Sequence, residues 1–72
     1  MVRQIASVII LLLYLGVHNG QMALFRHGDP TPAECYPLQI RMLPIHDQLD
    51  LTRGIEILDS GHLARLLEDY LS

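Results

Sequence analysis

Apolar residues crowd the front of the chain and recur periodically in the rest of it. Ile5 to Leu15 reads IASVIILLLYL, with the hydroxyls of Ser7 and Tyr14 its only polar side-chain groups, and Arg3 stands just ahead. A positive start followed by an apolar run is the order of a secretory signal or a signal anchor. Carried through Val17, the run would measure roughly 20 Å as a helix, against a hydrocarbon core about 30 Å thick. Two readings follow: a targeting leader too short to span comfortably, or a β-branched strand or arm packed on the domain. The chain divides into an apolar leader, 1–13, and a domain, 14–72. The leader predicts weak membrane association and a membrane-associated or extracytoplasmic location, with Arg3 on the cytoplasmic side.

Asn19-Gly20 lies between strand-forming residues, and a type I′ hairpin turn needs positive φ at both central positions. A two-residue loop there sets His18 opposite Gln21, Val17 opposite Met22, Leu15 opposite Leu24 and Tyr14 opposite Phe25. One face then carries Leu15, Val17, Met22 and Leu24. The other carries the Tyr14–Phe25 pair with Gly16 and Ala23 beside it. Arg26 to Pro32 reads as a turn-rich connector in which Pro30 and Pro32 forbid helix, and Cys35 falls in the same loop.

The alternation in Leu38-Gln39-Ile40-Arg41-Met42 predicts a half-buried strand. Pro44 suits the first turn of a helix running through Leu49 and ending near Arg53, with Gly54 as the left-handed residue beyond it. Ile55-Glu56-Ile57 predicts a short strand, and Asp59 or Ser60 can cap the last helix. In that helix Leu63, Leu66, Leu67, Tyr70 and Leu71 form one apolar stripe, with His62, Arg65, Glu68 and Asp69 facing out. At least one of Leu66 and Leu67 is expected to be fully buried. The fold class is α+β: a small antiparallel sheet opened by a β-hairpin, with two short helices packed on one face.

Composition narrows what this fold can do. Seventy-two residues make one small domain, burying only about 60% of its unfolded surface. Half the residues are hydrophobic and 18% are charged, which excludes a disordered chain. The net charge of −3 argues against nucleic acid, which needs a basic surface to neutralise phosphates. One cysteine forms no internal disulfide, and the four histidines show no metal-ligand spacing. No cofactor or metal is expected, and no residue is assigned a catalytic, cofactor-binding or metal role. His18 reads as a solvated strand-end residue and Cys35 as an unpaired thiol.

One short motif offers an alternative. Arg26-His27-Gly28-Asp29 resembles the RHG signature of the histidine phosphatases, which implies His27 as nucleophile and Arg26 as a phosphate ligand. The second arginine of that signature falls on Pro30. Phosphoryl transfer depends mostly on positioning and charge stabilisation, so a missing clamp is a serious defect. A degenerate histidine-phosphatase-like fragment is therefore the second reading.

A broader resemblance covers about Tyr14–Ser72. Tyr14-Leu15-Gly16-Val17 with Asn19-Gly20 and Ala23-Leu24-Phe25 resembles the opening hairpin of the C-terminal domain of the bypass-of-forespore C family. Leu43-Pro44, Arg53-Gly54-Ile55 and the run Leu63 to Ser72 follow in the same order. The resemblance implies a non-enzymatic regulatory or protein-binding domain. It also implies a role in sporulation, where the forespore regulator of that family restrains a signalling serine protease. The implied partner is a protein, with a serine protease the leading choice.

Overall fold

The computed structural model describes residues 12–72. Asn19 and Gly20 take φ of 52° and 80°, the pair of positive angles that a type I′ turn requires. The turn joins β1 (Leu13–His18) to β2 (Gln21–Arg26). Tyr14 faces Phe25, Leu15 faces Leu24, Val17 faces Met22 and His18 faces Gln21. The expected register is the observed one.

Two further strands extend the hairpin. β3 (Glu34–Gln39) pairs with β2, and β4 (Ile55–Glu56) pairs with β1. The result is an open, four-stranded antiparallel sheet in the order β3-β2-β1-β4. With the two helices described below, the domain is α+β, as expected.

The third strand lies earlier than the alternation over Leu38–Met42 predicts. It ends at Gln39, and Ile40–Met42 is a 3-10 turn. Cys35, expected in a loop, is therefore a strand residue opposite Ala23. The Ala33 N–H donates to the Leu24 carbonyl at 2.7 Å, so the chain regains β2 soon after the Pro30–Pro32 turn. Pairing is irregular further on: the step from Ala23 to Gln21 on β2 is matched by the step from Cys35 to Gln39 on β3. Pro37 occupies that stretch; lacking an N–H, proline is tolerated only at edges and bulges. The alternation misleads because Ile40 is drawn into the core while Met42 is exposed. The Ile40 N–H donates to the Gly20 carbonyl at 2.8 Å, and the Leu43 N–H closes the turn on the Ile40 carbonyl.

α1 (Ile45–Arg53) begins directly after Pro44, whose carbonyl accepts from the N–H groups of Asp47 and Gln48. It ends on Gly54, at φ 91°, whose N–H returns to Asp50 and Leu51. Positive φ at this position favours glycine. α2 (Ser60–Leu71) is capped by Asp59, whose Oδ1 accepts from the His62 N–H at 2.7 Å.

Both helices pack on the face that carries Leu13, Leu15, Met22 and Leu24. Leu51 of α1, with Ile40 and Ile57, completes the buried cluster. Leu63, Leu66, Leu67 and Tyr70 of α2 pack against it, but no residue of α2 is buried. The expectation for Leu66 and Leu67 is corrected: both are half-buried. A chain this small has too little material to wrap a second helix on both sides, so α2 keeps one shoulder in solvent.

Two tyrosines on this face hold their protons tightly. Burial pushes the Tyr36 phenol up, helped by its hydrogen bond to Glu34 Oε2 at 2.8 Å and by that carboxylate's charge. Burial also raises Tyr70, followed by the charges of Asp47, Asp50 and Asp69. Above the ordinary tyrosine pKa of about 10 the unfolded chain loses these protons first. The stability they contribute is complete below that pH and is lost as the pH rises through the folded values. Thermal melts across the alkaline range should therefore show a falling midpoint above about pH 10. The Tyr36→Phe, Tyr70→Phe double variant should show a weaker fall; an identical profile would clear both tyrosines of the effect.

Candidate interaction surfaces

Strand alternation puts Tyr14, Gly16 and His18 of β1, Ala23 and Phe25 of β2, Cys35 of β3 and Glu56 of β4 on the sheet face opposite the helices. Four rings line up along it. His27 lies 4.8 Å from Tyr14 between centroids, Tyr14 stacks on Phe25 at 5.3 Å, and His18 meets Phe25 edge-on at 6.2 Å. At the end of the row, His27 Nε2 lies 3.0 Å from Glu56 Oε2. That contact ties the chain leaving β2 to β4, across β1.

The rings cover the sheet themselves. Ala23 and Phe25 are buried although no helix lies over them. Gly16 makes this possible: a Cβ there would stand 3.2 Å from Tyr14 Cε2 and 3.3 Å from Phe25 Cε2. The rings fill the space that a side chain would take, much as aromatic neighbours compensate for glycine elsewhere in sheets.

The Arg26-His27-Gly28 segment is not arranged as a phosphate site. Arg26 pairs with Leu13, on the helix-bearing face, while His27 turns to the opposite face against Tyr14 and Glu56. The Asp29 N–H donates to the Arg26 carbonyl, and Gly28 takes φ 84° between them. The segment is a tight turn leaving β2, which matches the connector reading. The remaining histidines are dispersed: His18 lies at the hairpin end, His46 on α1, and His62 at the start of α2, where its Nδ1 accepts from the Leu58 N–H. Among the described residues, no group of three His, Cys, Asp or Glu could hold a metal ion. Cys35 is exposed, on the outer strand of the sheet.

A cleft of about 530 Å³ lies between the hairpin tip and α1, lined by Val17, Gln21, Gln39, Ile40, Arg41 and Gln48. Its polar groups are turned onto the protein. Arg41 Nε donates to Gln39 Oε1 at 2.9 Å, and Gln48 Nε2 donates to the Leu43 carbonyl at 2.8 Å. A small-molecule site needs convergent polar groups that fix a ligand, and here Arg41 is engaged by Gln39 and Gln48 by the backbone.

Residues 12–72 match the model of the BofC C-terminal domain family. The chain belongs to that family. No curated protein and no solved structure matches it significantly. BofC, bypass of forespore C, is a regulatory family associated with sporulation. What sequence reading missed was the ring row. Tyr14–Phe25 was legible from the hairpin register, but His27 and Glu56 join it only through the turn after β2 and the pairing of β4.

Substituting Gly16 should break this BofC sheet face. Gly16→Val forces a branched side chain into the space under both rings, and overpacking of this kind costs about 1–3 kcal/mol. A clear drop in melting temperature is expected, with loss of the ring-current shifts between Tyr14 and Phe25 in proton NMR spectra. Unchanged shifts would show that the rings do not lie over Gly16.

Proposed function

We propose that this BofC domain is a non-enzymatic regulator that acts by binding a protein, and that its partner is a signalling serine protease of the sporulation programme. The family match over residues 12–72 carries this reading. The protease is the partner that the family resemblance implies. The opposed placement of Arg26 and His27 supports a binding domain over the phosphatase alternative, because a phosphoryl group needs its clamps on one side.

We also propose a membrane-associated or extracytoplasmic location. The order of Arg3 and the apolar run supports it. β1 takes Leu13–His18 into the sheet, so the apolar residues from Ile5 to Leu12 would measure only about 12 Å as a helix. That is less than half of a hydrocarbon core of about 30 Å. No helix of the described residues is long and apolar enough to cross a membrane. The association is therefore weak, and most of a tagged chain should leave the membrane fraction in an alkaline carbonate wash. Complete resistance to that wash would establish a true anchor.

The regulatory reading is tested with the purified full chain and the purified signalling protease. Adding the chain should slow cleavage of a peptide substrate in a saturable way, and His27→Ala should inhibit as well as the unaltered chain. Absence of inhibition would remove the protease as partner. Phosphatase turnover lost in His27→Ala would restore the enzyme alternative.

A further inference from the structure

A groove of about 460 Å³ runs between the start of α1 and the second half of α2. Leu43 and Pro44, just ahead of α1, and Leu66 and Tyr70 of α2 give it an apolar floor. Leu66 and Tyr70 stand one helical turn apart and so share a face. With Leu43, they pack against the buried cluster, which fixes the floor in place. Two carboxylates line the groove as well, Asp47 from the first turn of α1 and Asp69 from α2. Among the described residues that line it, none is basic.

The two carboxylates differ in how well the fold accommodates them. Asp47 suits its helix, because a negative charge in a first turn meets the positive end of the macrodipole. Asp69 does not. It follows Glu68 at the closing end of α2, where the macrodipole is negative and helices usually carry bases. The last turn of α2 has no basic residue. Among the described residues the ion pairs are His27–Glu56 and His46–Asp47, which leaves Asp69 without a cation. The partner of Asp47 is its sequence neighbour, at 3.3 Å, with the His46 side chain 77% exposed. Tyr70 feels the same field. After burial, the charges of Asp47, Asp50 and Asp69 hold its proton in place.

We infer that this groove seats a basic side chain of the partner protein, its aliphatic stem along Leu43, Pro44 and Leu66 and its charged head between Asp47 and Asp69. This inference deepens the proposed regulatory function and rests on it. Charge selects the occupant. A cation at the end of α2 offsets both the unpaired carboxylate and the negative end of the helix. Long basic side chains lay their stems on apolar surface and keep the head at a polar rim, the division that this groove offers. The Tyr70 ring beside the head adds a cation–π attraction. A bare metal ion fits poorly, since calcium takes six to eight oxygen ligands and no group of three His, Cys, Asp or Glu among the described residues could hold one. A second copy brings a net charge of −3 against the same sign, and like net charges keep chains apart. An anionic bilayer meets the same aspartates.

The test uses the purified full chain and the purified signalling protease, with affinity read by calorimetry at two salt concentrations. Asp47→Asn with Asp69→Asn keeps the shape of both side chains and removes their charge. Binding should weaken about tenfold or more and lose much of its salt dependence. The melting temperature should stay near the original, because what α1 loses at its start α2 regains at its end. Glu34→Gln with Glu56→Gln removes the same charge from the two outer strands of the sheet and should bind like the unaltered chain. Undiminished binding by the asparagine pair would overturn the groove and leave the regulatory reading standing. An equal loss in the glutamine pair would also overturn it, by showing that net charge alone sets the affinity. If the unaltered chain does not bind, the regulatory reading falls and the groove with it. Two further results would assign the groove elsewhere and overturn the inference: self-association in sedimentation, or calcium binding in calorimetry, that the asparagine substitutions abolish.

Discussion

The register of the β1–β2 hairpin is the constraint on which the rest of the domain depends. Asn19 and Gly20 both accept positive φ, which closes a two-residue turn and leaves one way to pair the strands. A slip by a single residue would carry Leu15, Met22 and Leu24 to the open side of the sheet and bring Tyr14 and Phe25 to the helices. Everything else reads that register. β4 adds to β1 opposite Tyr14 and Leu15, and β3 adds to β2 opposite Ala23 and Leu24. α1 then places Leu51 against the leucines that the register turns inward.

The two sheet faces are closed by different means. The inner face is covered by helices and buries aliphatic side chains. The outer face has no helix, and its own rings lie over the glycine that leaves room for them. This division suits a chain too short for a second helical layer. It also means that the outer face, despite its aromatic content, offers little unsatisfied apolar surface. Exposed large apolar side chains lie instead at Met42, Ile45 and Leu49, around the start of α1, and singly at Leu12, Leu58 and Leu71.

The chain belongs to a regulatory family associated with sporulation. The histidines and arginines that could have suggested catalysis are spread over separate elements. His27 stabilises a turn and a strand pairing through Glu56, a structural use of a residue that its sequence neighbours advertise as chemical.

The sequence by itself determined the local features: the Asn19-Gly20 turn with its cross-strand pairs, the helix between Pro44 and Gly54, the Asp59 cap, and the family resemblance that runs through them. These were legible because each depends on a few adjacent residues with restricted φ, a missing N–H or a capping oxygen. Only the tertiary structure decided the rest. β3 lies at Glu34–Gln39, because pairing with β2 and the bulge around Pro37 outweigh the alternation of Leu38, Ile40 and Met42. Leu66 and Leu67 stay half-buried, because Leu51 and the sheet leucines already fill the centre of the core. His27 meets Glu56, and Met42, Ile45 and Leu49 are left outside. Those outcomes depend on which elements reach the sheet and how much of it they can cover, and no local pattern encodes that.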